Sequence, residues 1–168
     1  MDDMASDTHT LDLLCMLVAY VRPRIFVESG TYLGHTAVAI ANILQQLDQE
    51  EECPARVWTA DPTDYGLIQQ AVVGHDLSHY LTYYHGSYDD MLNMLVEPIG
   101  MAYLDASAKD DPSMRLRHVR KTLARLEPGG LIVIDDCGSD WSGVKRIRQM
   151  ASLYLPAHRG LCVIQKAA

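Results

Sequence analysis

The sequence predicts an α/β fold: a doubly wound, Rossmann-like sheet, mostly parallel, with helices on both faces and a C-terminal antiparallel hairpin. Three observations carry this. Short β-branched or aromatic runs alternate with longer stretches of helical spacing. The strand runs are nearly continuous in apolar residues, as strands buried on both faces are. Strand–helix–strand units close with right-handed crossovers, which place helices on both sides of one sheet.

The elements follow in order. Leu11, Leu14, Val18 and Val21 form a helical stripe that Pro23 ends. Arg24–Glu28 is strand one. Leu33, Ala37, Ile40, Leu44 and Leu47 mark a long helix, and the polar stretch Gln45–Pro54 a loop. Arg56–Asp61 is strand two, stopped by Pro62, with a helix from about Tyr65 to Val73 before Gly74. Tyr80–Tyr84 is strand three, Asp89–Val96 a short helix, and Gly100–Asp105 strand four. Leu116, Val119, Leu123 and Leu126 mark the next helix, after which Pro128-Gly129-Gly130 turns the chain into strand five, Leu131–Asp135. Val144, Ile147 and Ala151 mark a last helix. Two short strands near Ser152–Leu155 and Leu161–Ile164 then pair across the turn Pro156–Gly160.

A chain of 168 residues with 48% apolar residues suits a single domain over 1–168 and excludes low-complexity disorder. The net charge of −8 argues against a duplex nucleic-acid partner, whose phosphates call for basic surfaces, and against an anionic membrane. The four cysteines, Cys15, Cys53, Cys137 and Cys162, form no C-x-x-C pair, so no zinc ribbon or redox dithiol is signalled. Scattered single thiols and an acidic start point to a cytoplasmic protein. The most apolar run, Leu11 to Val21, contains Asp12 and falls well short of the roughly 20 residues a bilayer needs.

In doubly wound sheets ligands sit at the carboxyl ends of the strands, so the residues just after each strand matter most. After strand one comes Glu28-Ser29-Gly30-Thr31-Tyr32-Leu33-Gly34-His35-Thr36. Gly30 permits a sharp turn and close backbone approach, and Gly34 close packing of the helix on its strand. A nicotinamide fingerprint would read G-x-G-x-x-G without an acid inside it. Glu28 instead repels a pyrophosphate and can accept from an ammonium group. Asp61 can accept ribose hydroxyls. In His85-Gly86-Ser87-Tyr88-Asp89, Ser87 and Tyr88 either border a purine or open a capped helix. Asp105 ends strand four and Asp135-Asp136 strand five, so three carboxylates lie on one sheet edge.

V-E-S-G-T-Y-L-G-H-T, A-D-P, H-G-S-Y-D-D, A-Y-L-D and L-E-P-G-G-L-I-V-I-D-D together resemble, in order and spacing, the class I S-adenosylmethionine-dependent methyltransferases. The likeness is closest to small-molecule O-methyltransferases of the catechol and macrocin type and runs from about Leu11 to Lys166. It implies a donor site in which Glu28, Gly30, Tyr32 and Thr36 hold the methionine part, with Glu28 near its ammonium and Thr36 near its carboxylate, and in which Thr31 and Gly34 of the same loop also bind the cofactor. Asp61 would hold the ribose, Ser87 and Tyr88 would border the adenine, and Asp105 would complete the site. The same resemblance places Mg²⁺ on Asp105, Asp135 and Asp136, where hard oxygens suit it and where it would act as a Lewis acid on an acceptor hydroxyl. The other reading of Asp135 and Asp136 is that they finish a strand and cap a turn.

Three departures from the family stand out. Ser107 replaces an acidic base. The lysine of the catechol branch is displaced: Ala108 holds its place and Lys109 follows. Asp105 and Lys109 are therefore the catalytic candidates, with His85 or metal-bound hydroxide as alternatives to Lys109. Only one helix precedes strand one, so the acceptor pocket is expected to be open, or completed by a second subunit in a homodimer.

Other polar residues read as ordinary. Arg115, Arg117, His118, Arg120, Lys121 and Arg125 read as a solvated helix face, and Lys145, Arg146 and Arg148 likewise. His35 stands in the donor loop, while His75, His79 and His158 read as loop residues. Met91, Met94, Met101, Met114 and Met150 read as core filling. Trp141 either walls an aromatic acceptor or anchors the last helix. The expected function is methyl transfer from S-adenosylmethionine to a hydroxyl oxygen of a small molecule, with Mg²⁺ assistance. The alternative is an S-adenosylmethionine-binding protein without turnover.

Overall fold

A computed structural model of the chain describes residues 8–48, 54–106, 112–138, 141–148, 150–156 and 159–167. The helices are α1 (Thr8–Val21), α2 (His35–Leu47), α3 (Ile68–Gly74), α4 (Tyr88–Met94), α5 (Pro112–Arg125) and α6 (Ser142–Arg148). The strands are β1 (Ile25–Ser29), β2 (Arg56–Asp61), β3 (Leu81–His85), β4 (Ile99–Leu104), β5 (Leu126–Ile134), β6 (Ser152–Leu155) and β7 (Leu161–Gln165). They form one sheet in the order β3-β2-β1-β4-β5-β7-β6. β1 through β5 pair in parallel, and β7 runs antiparallel to both β5 and β6. Strand order reverses between β1 and β4, which creates a crevice at their carboxyl ends.

Two cores cover the two faces, and the strand alternation decides which residue joins which. Phe26 of β1 packs with Leu14 and Val18 of α1 and with Ile40 and Leu44 of α2. Its neighbours Ile25 and Val27 face the other way, onto Met91 and Leu92 of α4 and Val119 of α5. Every residue of β1 and β4 is buried, which explains the apolar runs Ile25–Val27 and Ile99–Leu104, while Glu28 and Ser29 are buried polar residues at the end of β1.

Several boundaries differ from the sequence reading. Pro128-Gly129-Gly130 lies inside β5: Leu126 already pairs with Ile99, and the register shifts before Met101 pairs with Leu131. A bulge absorbs the turn-forming residues, and the strand starts five residues early. α3 begins at Ile68, because Asp64 Oδ1 accepts the Gly66 N–H at 2.8 Å and holds a turn ahead of it. α2 begins at His35, after Leu33.

α5 departs most. Its buried face is His118, Val119 and Thr122, whereas Leu116 and Leu123 are half-buried. The two polar side chains are affordable there because they are bonded. Thr122 Oγ1 donates to the His118 carbonyl at 2.8 Å and lies 2.8 Å from the Tyr88 hydroxyl, and His118 Nδ1 is 3.1 Å from Ser29 Oγ. Among the methionines, Met91 and Met101 are core residues, but Met94 and Met150 are exposed. Among the described residues no helix is long and apolar enough to cross a membrane.

Candidate active site

The crevice at the carboxyl ends of β1, β2 and β4 opens into a cavity of about 690 Å³. Small-molecule sites commonly span about 300–1,000 Å³. Its walls come from the loop after each of these strands, from the start of α4, from α5, and from the ends of β5 and of the β6–β7 hairpin.

The β1–α2 loop forms the floor. Gly30 has φ +97, and a Cβ there would stand 3.0 Å from the Ala106 backbone nitrogen. The loop therefore lies directly against the chain leaving β4, and the Asp105 and Ala106 N–H groups both donate to the Ser29 carbonyl, at 3.0 and 2.8 Å. Tyr32 has φ +47, a strained value for a non-glycine residue. Asp61 holds it there: Oδ2 accepts the Tyr32 N–H at 3.0 Å while Oδ1 accepts the Thr63 N–H at 2.8 Å. A carboxylate offers about four acceptor directions, so Asp61 keeps capacity for a ligand's hydroxyls. The Tyr32 and Tyr65 rings meet edge to face at 4.9 Å beside it.

Ser87 plays both parts that its sequence context allows. It caps α4, with Oγ accepting the Asp90 N–H at 3.1 Å, and it lines the cavity beside Tyr88. Asp89, also on the wall, is bridged by Lys121 at 2.9 Å and by Arg117 at 3.2 Å. Partial burial raises its pKa, but Lys121, His118 and Arg117 outweigh that and hold it below the usual carboxylate value.

Of the residues singled out in the sequence, Gly30, Tyr32, Asp61, Ser87, Tyr88, Asp105 and Asp136 line this cavity. Glu28, Thr31, Gly34, Thr36 and Asp135 stand outside its lining. Glu28 is only 1% exposed, beneath the floor, with Oε2 accepting the Thr59 hydroxyl at 2.5 Å. Burial pushes its pKa up to about 8, the Thr59 bond pulls the other way, and the charges of Asp105 and Asp61 add to the rise. Thr31 belongs to the same buried chain, 2.6 Å from Thr59. Gly34 packs against the Ile68 side chain of α3 rather than against its own strand. Thr36 is buried in the first turn of α2. Lys109, Ser107 and Ala108 lie outside the described residues, as do Cys53 and His158. His85 is exposed, its Nε2 3.1 Å from the Pro62 carbonyl, and His35 is exposed on α2. Trp141 anchors α6: a Cβ on Gly143 would strike its ring, and Arg115 lies 5.4 Å over it.

The fit of a divalent ion depends on Asp105, Asp135 and Asp136 offering oxygens to one point. Asp135 Oδ2 accepts the Tyr103 hydroxyl at 2.8 Å, and its Oδ1 accepts the Asp136 N–H at 2.8 Å. Asp136 Oδ1 stands 2.8 Å from Arg159 Nε, an ion pair not aligned as a hydrogen bond. Among the described residues no three His, Cys, Asp or Glu side chains are grouped as a metal would need. The donor set does not fit Mg²⁺.

Met114, Arg117 and His118 of α5 and Arg159 of the β6–β7 turn, which read in the sequence as core filling, helix surface or loop, also stand on the cavity wall. The signal for His118 was its position four before Thr122, a polar pair on one helix face. Arg159 had no such signal.

A description of the family named "Methyltransferase domain" matches residues 27–137, more than half of the chain. No curated protein sequence matches. Among solved structures, the O-methyltransferase TomG from Streptomyces achromogenes, in complex with S-adenosylmethionine, is similar at 18% identity and TM-score 0.75, over 100% of this chain and 84% of that one. A Podospora anserina methyltransferase bound to S-adenosylhomocysteine is similar at 15% identity and TM-score 0.77, over 99% of this chain and 81% of that one. An O-methyltransferase from Bacillus cereus, also in complex with S-adenosylhomocysteine, is similar at 17% identity and TM-score 0.73, over 98% and 84%. Identities this low establish a shared fold.

Proposed function

The chain belongs to the methyltransferase-domain family, and we propose that it moves a methyl group from S-adenosylmethionine to a hydroxyl oxygen of a small molecule. The observation that carries this reading is the cavity at the reversal between β1 and β4, with Gly30, Asp61, Ser87, Tyr88 and Asp105 on its walls. S-adenosylmethionine supplies a methyl group on a sulfonium; the acceptor hydroxyl oxygen forms its bond to that carbon in line, the carbon–sulfur pair stays on sulfur, and the hydroxyl proton leaves to water or to the Asp105 carboxylate on the wall.

Everything else is the chain's own work. The bare backbone at Gly30 lets the methionine part lie close to the floor. Asp61 accepts the ribose hydroxyls while fixing Tyr32. Ser87 and Tyr88 border the adenine. Asp61, Asp89, Asp105 and Asp136 outnumber Arg117 and Arg159 on the walls, and this acidic balance suits a positively charged donor. Asp105 stands beside the floor loop, where donor and acceptor must meet. Much of the rate enhancement comes from alignment of the two bound reactants, which can contribute about 7–11 kcal/mol.

Mass spectrometry of the purified protein under non-denaturing conditions tests the reading. Retained S-adenosylmethionine or S-adenosylhomocysteine, in one-to-one ratio with the chain and displaced by added S-adenosylhomocysteine, is the expected result. A protein that neither retains nor takes up either nucleoside contradicts it.

A further inference from the structure

The loop after β5 is built around one ion pair. Asp136 sits at φ +54, and three groups fix it there. Its N–H donates to Asp135 Oδ1, its carbonyl accepts from Arg115 Nη1 at 2.7 Å, and its carboxylate meets Arg159 Nε at 2.8 Å. Arg159 comes from the far side, on the turn of the β6–β7 hairpin. The residues next to the pair lock the two loops together, since the Cys137 N–H donates to the Gly160 carbonyl at 2.8 Å. Gly160 has φ +84, and a Cβ there would stand 2.8 Å from the Cys137 carbonyl oxygen. Only glycine allows the hairpin to approach so closely, and that approach carries Arg159 onto Asp136. Both side chains line the cavity beside Asp105.

A divalent ion at this edge would need carboxylate oxygens free to turn toward it. Here the Asp135 oxygens face Tyr103 and the loop backbone, and a guanidinium already neutralises Asp136. A dication a few ångströms from that guanidinium would also meet direct repulsion. We infer that the Arg159 guanidinium takes the place of a divalent cation at Asp136, so that Arg159 is a positioning residue for the acceptor end and methyl transfer by this chain is independent of metal. This rests on the reading of the cavity as a methyl-transfer site. Arg159 supplies one fixed positive charge that balances Asp136, and the pair holds the Asp135–Asp136 turn in its left-handed geometry without a bound ion.

The test is a Mn²⁺ titration followed by electron paramagnetic resonance, with no donor or acceptor present. Wild type is expected to show no saturable site at millimolar metal. Arg159→Gln frees the Asp136 carboxylate, with Asp105 beside it on the wall, and should show saturable Mn²⁺ binding at least about tenfold tighter than the weakest affinity the titration can detect. Asp136→Asn in the Arg159→Gln background should remove that gain, and Arg159→Lys should stay metal-free like wild type. Saturable Mn²⁺ binding by wild type that Asp136→Asn abolishes overturns the inference, and this arm holds even if the Arg159 variants fold poorly. A folded Arg159→Gln protein that gains no site overturns it as well. Calorimetry with S-adenosylhomocysteine on the same samples reports separately on the donor site, so a failure there is distinguishable from a failure of the ion pair.

Discussion

Thr59 Oγ1 donates to Glu28 Oε2 at 2.5 Å, joining the ends of two neighbouring strands directly beneath the cavity floor. Thr31 completes the chain at 2.6 Å from Thr59. Among the described residues, the bonds that hold this acid at the end of an apolar strand come from hydroxyls and not from a cation. Hydroxyls satisfy its oxygen but do not neutralise it, so at neutral pH Glu28 is held mainly protonated.

Stability should therefore fall as pH rises. Glu28 has its pKa raised from 4.5 to about 8 in the folded chain, so the folded state binds more protons than the unfolded state between those values. Its contribution is fully present below the lower value and is lost as pH climbs through the upper one. Integrated over the window the effect is on the order of a few kcal/mol. Glu28→Gln, which keeps an acceptor for Thr59, should flatten the decline. Urea midpoints measured across the window for both proteins check this, and parallel curves would show that Glu28 does not titrate there.

Binding of a cationic donor above Glu28 should draw its proton off. A positive charge favours the ionised form of a nearby acid. Calorimetry in two buffers of different ionisation enthalpy, near neutral pH, should show release of a fraction of a proton per S-adenosylmethionine bound by wild type. Glu28→Gln should show none. Equal release by both would assign the proton to another group.

Tyr103→Phe should cost about 1–3 kcal/mol, because it leaves Asp135 Oδ2 buried without its donor. Burial already raises the Asp135 pKa, and the Tyr103 bond opposes that rise. Removing the hydroxyl should therefore raise it further. Chemical denaturation gives the first quantity, and carboxyl chemical shifts followed against pH give the second.

Gly30→Ala should cost about 1–2 kcal/mol in backbone strain, with a further penalty from contact at 3.0 Å with the Ala106 nitrogen. The loop would have to back away from Ala106, so donor affinity should fall along with the thermal midpoint. A loss of midpoint with unchanged affinity would show that the floor loop tolerates the move.

How far the sequence foretold all this depended on what each residue responds to. β1, β2 and the C-terminal hairpin were legible because alternation and burial on both faces leave a direct mark on residue type. Pro128–Gly130 reads as a turn in the sequence, but the same residues serve a bulge inside β5, and only pairing of Leu126 with Ile99 decides between the two. The basic surface of α5 concealed His118, whose burial is made possible by Ser29 on another element, far away in sequence. Asp61, Ser87 and Asp105 were legible because strand ends converge by topology alone. Glu28 reads in the sequence as an acid that closes an apolar strand, yet its depth below the floor follows from Thr59 on the next strand. Arg159 reaches the cavity through a close approach at Gly160 that no local pattern records.

The most direct measurement is a calorimetric titration with S-adenosylmethionine of wild type and Asp61→Ala. The account predicts saturable one-to-one binding by wild type and affinity weaker by about tenfold or more, roughly 1.4 kcal/mol, in the variant. No binding by folded wild type, or equal affinity in both proteins, would contradict it.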